Sequence, residues 1–77
     1  MYQLSVKAIK SILLDEHSRF LSSLTSQVYM LDYNRYMFKI ADETIRERIS
    51  FCDTYTKLED FIHESRRMSL QEWINSL

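Results

Sequence analysis

Three side chains of the sequence could take part in chemistry at neutral pH: the thiol of Cys52 and the imidazoles of His17 and His63. A zinc-type metal site needs paired cysteines or histidines at short spacing, and neither pairing occurs. His63 stands beside Glu64, but adjacent residues of a helix do not face each other and cannot act as an acid–base pair. We therefore expect no catalytic residue, no metal ligand and no cofactor.

The patterns around His17 and Cys52 predict structural roles instead. His17 falls on the apolar side of a helical segment, one turn from Leu13, where a hydrogen-bonded histidine at the edge of a core is expected. Cys52 continues an apolar stripe and is expected to be a small buried hydrophobe. A reactive thiol would need an exposed position beside a basic group, which the sequence does not predict.

Glycine and proline are both absent from the 77 residues. Without glycine the chain lacks the residues of a P-loop, a dinucleotide-binding loop or a nucleophile elbow. The hydrophobic fraction of 45% and the charged fraction of 27% are typical of a folded domain, and the net charge of −1 gives no overall attraction to nucleic acid or membrane. The N-terminal residues have the pattern of neither a secretory signal nor a membrane span. We expect a cytoplasmic protein with no small-molecule substrate.

Helical periodicity predicts an all-α fold, a small bundle of about four helices in a single domain over residues 1–77. The predicted helices cover about residues 3–22, 26–51, 57–67 and 70–76. The second of them is either continuous or broken near Asp42, which could cap a new helix. A run of serine and threonine near Ser22 predicts the end of the first helix.

Two capping boxes are predicted near the C-terminus. Thr56 with Glu59, and Ser69 with Glu72, have the spacing with which a hydroxyl and a carboxylate satisfy the free amides of a first helical turn. The predicted core consists of apolar residues that recur at helical spacing. They are Val6, Ile9, Leu13, Leu14, Phe20, Leu21 and Leu24, then Leu31, Phe38, Ile45, Ile49 and Cys52, then Leu58, Phe61 and Ile62, and finally Trp73, Ile74 and Leu77.

The segment QVYMLDYNRYMFKI, residues 27–40, holds more apolar surface than one core-facing stripe needs. On the predicted second helix, an apolar sector lies almost opposite the core stripe. It consists of Tyr29, Tyr33, Tyr36 and Ile40, and Met30 and Met37 fill the gap between sector and stripe. Either this helix is central and packs on two sides, or the sector binds a partner.

We expect a non-enzymatic, intracellular protein–protein interaction module, such as an inhibitor, an adaptor or a small chaperone. It would bind a protein partner or a second copy, as a homodimer, through these six residues, which are called the Tyr/Met sector here: Tyr29, Met30, Tyr33, Tyr36, Met37 and Ile40. The alternative is a dimeric nucleic-acid-binding transcriptional regulator, which requires basic side chains on one shared surface. Those basic residues would be Arg35, Lys39, Arg46, Arg66 and Arg67. A third alternative is a structural subunit of a larger helical assembly.

Replacing Tyr33 with aspartate tests the sector directly. If the sector is an interface, Tyr33→Asp abolishes association, measured by light scattering, because a charge is placed in an apolar contact. The far-UV circular dichroism of the variant should stay helical. Unfolding of the monomer would instead assign the sector to the core.

Overall fold

A computed structural model confirms the all-α fold predicted from the sequence, and no strand occurs within the described part of the chain. The structure describes the backbone of residues 2–27 and 32–77, together with the side chains of residues 2–23, 37 and 39–77. The helices are α1 (Val6–Gln27), α2 (Asp32–Ser50), α3 (Tyr55–Arg66) and α4 (Leu70–Asn75). Their number agrees with the prediction, and several of their ends do not.

α1 begins three residues later than predicted because Ser5 caps it. The Ser5 hydroxyl oxygen accepts a hydrogen bond from the amide of Ala8 at 3.1 Å. The helix then continues to Gln27, so the predicted end near Ser22 is wrong. Serine and threonine are only slightly unfavourable inside a helix, and the sequence offers no glycine or proline to end it.

α2 is a single helix from Asp32 to Ser50, so the structure shows the continuous alternative and not the break near Asp42, and residues 26 and 27 belong to α1. The Asp42 carboxylate does not cap a backbone amide. It accepts hydrogen bonds from Arg46 at 2.9 Å and from His17 at 2.8 Å. These side-chain partners hold the carboxylate on the flank of a continuous helix.

α3 begins two residues earlier than predicted, and its cap is Thr54 instead of Thr56. The Thr54 hydroxyl oxygen accepts a hydrogen bond from the amide of Lys57 at 3.2 Å. Glu59 is not a capping partner, since its carboxylate accepts a hydrogen bond from the hydroxyl of Tyr2. The first turn of α3 contains no acidic side chain, so the capping box predicted there is wrong.

The chain reverses direction between α3 and α4 at Arg67. Its backbone is left-handed, with φ 57° and ψ 36°, and its amide donates a hydrogen bond to the carbonyl of His63 at 3.0 Å. Ser69 then caps α4 as predicted, because its hydroxyl oxygen accepts a hydrogen bond from the amide of Glu72 at 3.1 Å. α4 folds back against α3 and buries Trp73 and Ile74, which the sequence also predicts.

α2 lies antiparallel to α1, as hydrogen bonds along the pair show. Lys10 of α1 donates to the carbonyl of Ser50 at 2.9 Å, and Arg46 of α2 donates to the hydroxyl of Ser18 at 2.8 Å. Low residue numbers on one helix therefore meet high numbers on the other. The two helices form a hairpin.

α3 lies parallel to the first half of α1. At one end the hydroxyl of Tyr55 donates to the carbonyl of Leu4 at 2.8 Å, and at the other Arg66 donates to the carboxylate of Glu16 at 3.0 Å. α3 thus ends level with Glu16, while α1 continues for eleven more residues to Gln27. At 1.5 Å per residue, about 16 Å of α1 extends beyond the end of α3.

The core fills the end of the hairpin that α3 and α4 cover. Its buried residues are Ile9, Leu13, Ile49, Cys52, Leu58, Phe61, Ile62, Leu70, Trp73 and Ile74. All but Leu70 are predicted from the sequence. Phe20 and Leu77, also predicted as core, are exposed, and Leu24, Leu31 and Phe38 lie outside the described side chains. Val6, Leu14 and Ile45 are partly buried against the core.

The part of the hairpin beyond the end of α3 is called the distal hairpin here, comprising residues 17–27 of α1 and 32–45 of α2. It gives the protein its length, since the molecule measures 45 × 22 × 20 Å. Helical domains are stable when each apolar stripe is covered by another layer. In the distal hairpin, α3 does not supply that layer.

The two threonines at the start of α3 provide a matched test of the cap. Thr54→Ala should lower the free energy of unfolding by about 1 kcal/mol, because the amide of Lys57 loses its hydrogen-bond acceptor. Thr56→Ala should change it by less than about 0.5 kcal/mol, as expected for an exposed side chain that does not cap the helix. Urea titrations followed by circular dichroism measure both. A larger loss for Thr56→Ala would place the cap at Thr56.

Candidate functional site: an apolar groove where α3 ends

A groove with a volume of about 600 Å³ lies between α1, α2 and α3 at the level where α3 ends. Most of its lining is apolar. The apolar residues are Leu13, Phe20, Leu21, Ala41, Ile45, Ile49 and Phe61, and the polar ones are Glu16, His17, Ser65 and Arg66. The volume is within the range of sites that hold a ligand or an inserted side chain.

The groove exists because one apolar face of α1 is only partly covered. Leu13 and Phe20 are seven residues apart and therefore lie on the same face of the helix. Leu13 is fully buried, whereas the side chain of Phe20 is 61% exposed. About 10 Å of helix separates them, and α3 ends between their levels. Phe20 has the sequence signal of a core residue and the position of a surface residue.

A hydrogen-bonded cluster on the flank of the groove joins α1 to α2. Asp42 accepts hydrogen bonds from His17 and Arg46, and Arg46 also donates to the hydroxyl of Ser18. Partial burial raises the pKa of Asp42, but the hydrogen bonds from Arg46 and His17 outweigh it and hold the pKa below the ordinary value of 3.8. The predicted role of His17, a hydrogen-bonded histidine at the edge of the core, is confirmed by this geometry.

A second set of polar contacts closes the other edge of the groove. The guanidinium of Arg66 donates to the Glu16 carboxylate at 3.0 Å and to the Ser65 hydroxyl at 3.0 Å. It also lies 6.0 Å from the centre of the Trp73 ring. The polar groups at both edges thus have partners within the chain. Contact with the apolar floor of the groove is then the main source of binding energy for an occupant.

Four residues of the predicted Tyr/Met sector, Tyr33, Tyr36, Met37 and Ile40, lie on the part of α2 that belongs to the distal hairpin. Met37 is 46% exposed and Ile40 is 40% exposed, and Met37 lies one helical turn from Ala41 of the groove. The side chains of Tyr33 and Tyr36 on α2 lie outside the described set. Tyr29 and Met30 are likewise outside it. Contact of this sector with a partner stays a prediction.

Sequence patterns missed the contribution of α1 to the site. Helical periodicity predicts Phe20 and Leu21 as core residues, and it does not single out Ala41 as a site residue. A signal for the groove was nevertheless present in the predicted helix lengths. A third helix of about eleven residues cannot cover a first helix of about twenty, so apolar residues near the end of the longer helix must remain uncovered.

The structure places the other candidate reactive groups, Cys52 and His63, in different surroundings. Cys52 is buried, its thiol donates to the carbonyl of Arg48 at 3.3 Å, and burial raises the pKa of this thiol. A thiol of this kind stays protonated and is a poor nucleophile at neutral pH. His63 is exposed on α3. Among the described residues, no three histidine, cysteine or acidic side chains come together as metal ligands.

Two of the five basic residues required by the nucleic-acid alternative hold ion pairs within the chain. Arg46 pairs with Asp42 at 2.9 Å, and Arg66 pairs with Glu16 at 3.0 Å. Lys39 and Arg67 are exposed, and the side chain of Arg35 lies outside the described set. The ion pairs reduce the positive charge that Arg46 and Arg66 can offer to phosphate groups.

No protein-family model matches the chain, and no curated protein or solved structure shows significant similarity to it. None of the described helices combines the length and hydropathy of a membrane span.

The hydrogen bonds of Asp42 predict a pH-dependent difference in stability. Because the pKa of Asp42 is lowered in the folded state, its charge stabilises the fold above about pH 4, and this contribution is lost as the pH falls through the folded pKa. Asp42→Asn should therefore lower the free energy of unfolding at pH 7 by no more than about 1 kcal/mol, since the pair is partly exposed. Urea titrations at pH 7 and pH 2.5 measure the effect.

At pH 2.5 the difference in stability between the wild type and Asp42→Asn should be smaller than at pH 7, because protonation of the wild-type carboxyl removes the contribution of its charge. The same substitution is not expected to change helix content at pH 7. An equal loss of stability at both pH values would show that the amide disturbs packing and that the carboxylate charge does not contribute.

Proposed function

We propose that the protein is a non-enzymatic, intracellular interaction module whose binding surface is the distal hairpin with its groove. The partner is a protein that presents an apolar helical surface. Such a module acts as an inhibitor, an adaptor or a small chaperone of the partner. A cytoplasmic location is part of the proposal, and the single cysteine, which cannot form an internal disulfide, suits a reducing compartment.

The exposure of Phe20 carries the proposal. Among the described residues, the large exposed hydrophobic side chains are Phe20, Met37, Ile40, Phe51 and Leu77. Three of these five belong to the distal hairpin, where both α1 and α2 contribute. Scattered single hydrophobic residues are normal on a protein surface, whereas a group beside an apolar groove marks a contact site.

The shape of this surface favours a protein over a small molecule. Phe20 lines the groove from α1 and is largely open to solvent, and Met37 and Ile40 extend the apolar area along α2. Small-molecule sites bury most of their ligand in a concave pocket, while protein partners cover broad surfaces with aromatic and methionine side chains at their centre. A partner surface built from apolar helices fits a surface of this kind.

Site-specific photo-crosslinking in cells tests the proposal. A photoreactive phenylalanine analogue such as p-benzoylphenylalanine is placed at position 20 or, as a matched control, at position 51. Both positions hold phenylalanine in the wild type, and the two side chains are similarly exposed, at 61% and 64%. We expect ultraviolet light to produce a polypeptide adduct at position 20 at least about tenfold more abundant than at position 51, since interface residues lose their exposure on binding.

The sensitivity of the adduct to protease or to nuclease distinguishes a protein partner from a nucleic-acid partner. A protease-sensitive adduct that survives nuclease supports the interaction module. A nuclease-sensitive adduct at position 20 would support the nucleic-acid alternative instead. Equal polypeptide adducts at both positions, or none at position 20, would contradict the proposal.

A further inference from the structure

We infer that the partner covering the distal hairpin is a second copy of the same chain, so that two hairpins form a four-helix bundle at their distal ends. This inference rests on the proposed function and names the occupant of its surface. The area left uncovered, the width of the apolar surface and the balance of charge all point to self-association. Each is an independent property of the chain.

The accessible surface of the chain is larger than its mass requires. It measures 5743 Å² for a mass of 9.3 kDa. A compact monomer of that mass has about 5,000 Å², which leaves an excess of roughly 700–800 Å². A standard protein–protein interface covers about 800 Å² on each partner. The excess of one chain is of the same magnitude as the area that each copy contributes to a standard interface.

The apolar surface is two helices wide. Phe20 and Leu21 belong to α1, whereas Met37, Ile40 and Ala41 belong to α2. A single partner helix would cover the seam between α1 and α2 and leave part of one helix exposed. A second hairpin has the same width and length, and four-helix bundles are built by packing such hairpins face to face.

The charges of the distal hairpin permit two copies to approach each other. The distal hairpin contains three basic and three acidic residues, so its net charge is zero. The acidic residues are Asp32, Asp42 and Glu43, and the basic ones are Arg19, Arg35 and Lys39. Two identical surfaces repel each other when each has a large net charge of one sign. A surface of mixed sign can pair opposite charges across a two-fold axis.

The solution mass of the full chain tests the inference, with two matched aspartate variants. Wild-type protein and Phe51→Asp should have about twice the mass of 9.3 kDa by light scattering across micromolar concentrations. Phe20→Asp should weaken self-association at least about thirtyfold, the loss expected for a central interface residue. Because Phe20 and Phe51 are both largely exposed in the monomer, neither variant should lose helical circular dichroism. Ile40→Asp is measured as a second variant, and it tests the same surface if Phe20→Asp misfolds.

Two results would overturn the inference. One is a wild type that remains at the mass of one chain up to near-millimolar concentration. The other is a dimer that both Phe20→Asp and Ile40→Asp leave intact. Crosslinking at position 20 then separates this failure from failure of the proposed function. A monomeric wild type whose position 20 still captures a different polypeptide in cells contradicts the second copy and retains the interaction module. A monomer without an adduct contradicts both.

Discussion

The difference in length between the helices is the constraint on which the structure depends. α1 and α2 contain 22 and 19 residues, whereas α3 has 12 and α4 only six. A short layer on a long hairpin can bury apolar residues at one end alone. The core from Ile9 to Ile74, the groove and the exposed side chain of Phe20 all follow from this arrangement.

Where α3 does not cover the hairpin, polar side-chain contacts help to hold α1 and α2 together. At the covered end, α1 and α2 are held by buried residues such as Leu13 and Ile49. Just beyond it, the hairpin is joined by His17, Asp42 and Arg46 on its flank. These contacts occupy the edge of the helix pair, so its apolar face need not be used to keep the two helices together.

Local sequence patterns predicted elements well where one interaction dominates. Ser69 caps α4 as predicted, because its hydroxyl oxygen accepts the hydrogen bond from the amide of Glu72. Thr56 does not cap α3, because the hydroxyl of Thr54, two residues earlier, accepts the hydrogen bond from the amide of Lys57. The carboxylate of Glu59 accepts a hydrogen bond from the hydroxyl of Tyr2 instead of completing a capping box. Periodicity predicted the buried faces around Leu13, Ile49 and Leu58 correctly, but it carries no information about where a neighbouring helix ends. The groove could therefore not be predicted from periodicity, because its position depends on where α3 ends beside α1. The Tyr/Met sector is tested only in part, since Met37 and Ile40 are its members with described side chains.

The placement of the single tryptophan gives the protein an internal optical reporter. Trp73 is buried on α4 and is not among the residues that line the groove. A six-residue helix is too short to be stable in isolation, so the indole remains in an apolar environment only while α4 is docked. Its emission maximum consequently follows the integrity of the core, and it senses the groove only as far as Arg66 does, whose guanidinium lies 6.0 Å from the centre of the indole ring. Fluorescence can thus distinguish a folded chain that has lost its partner from a chain that has lost its fold.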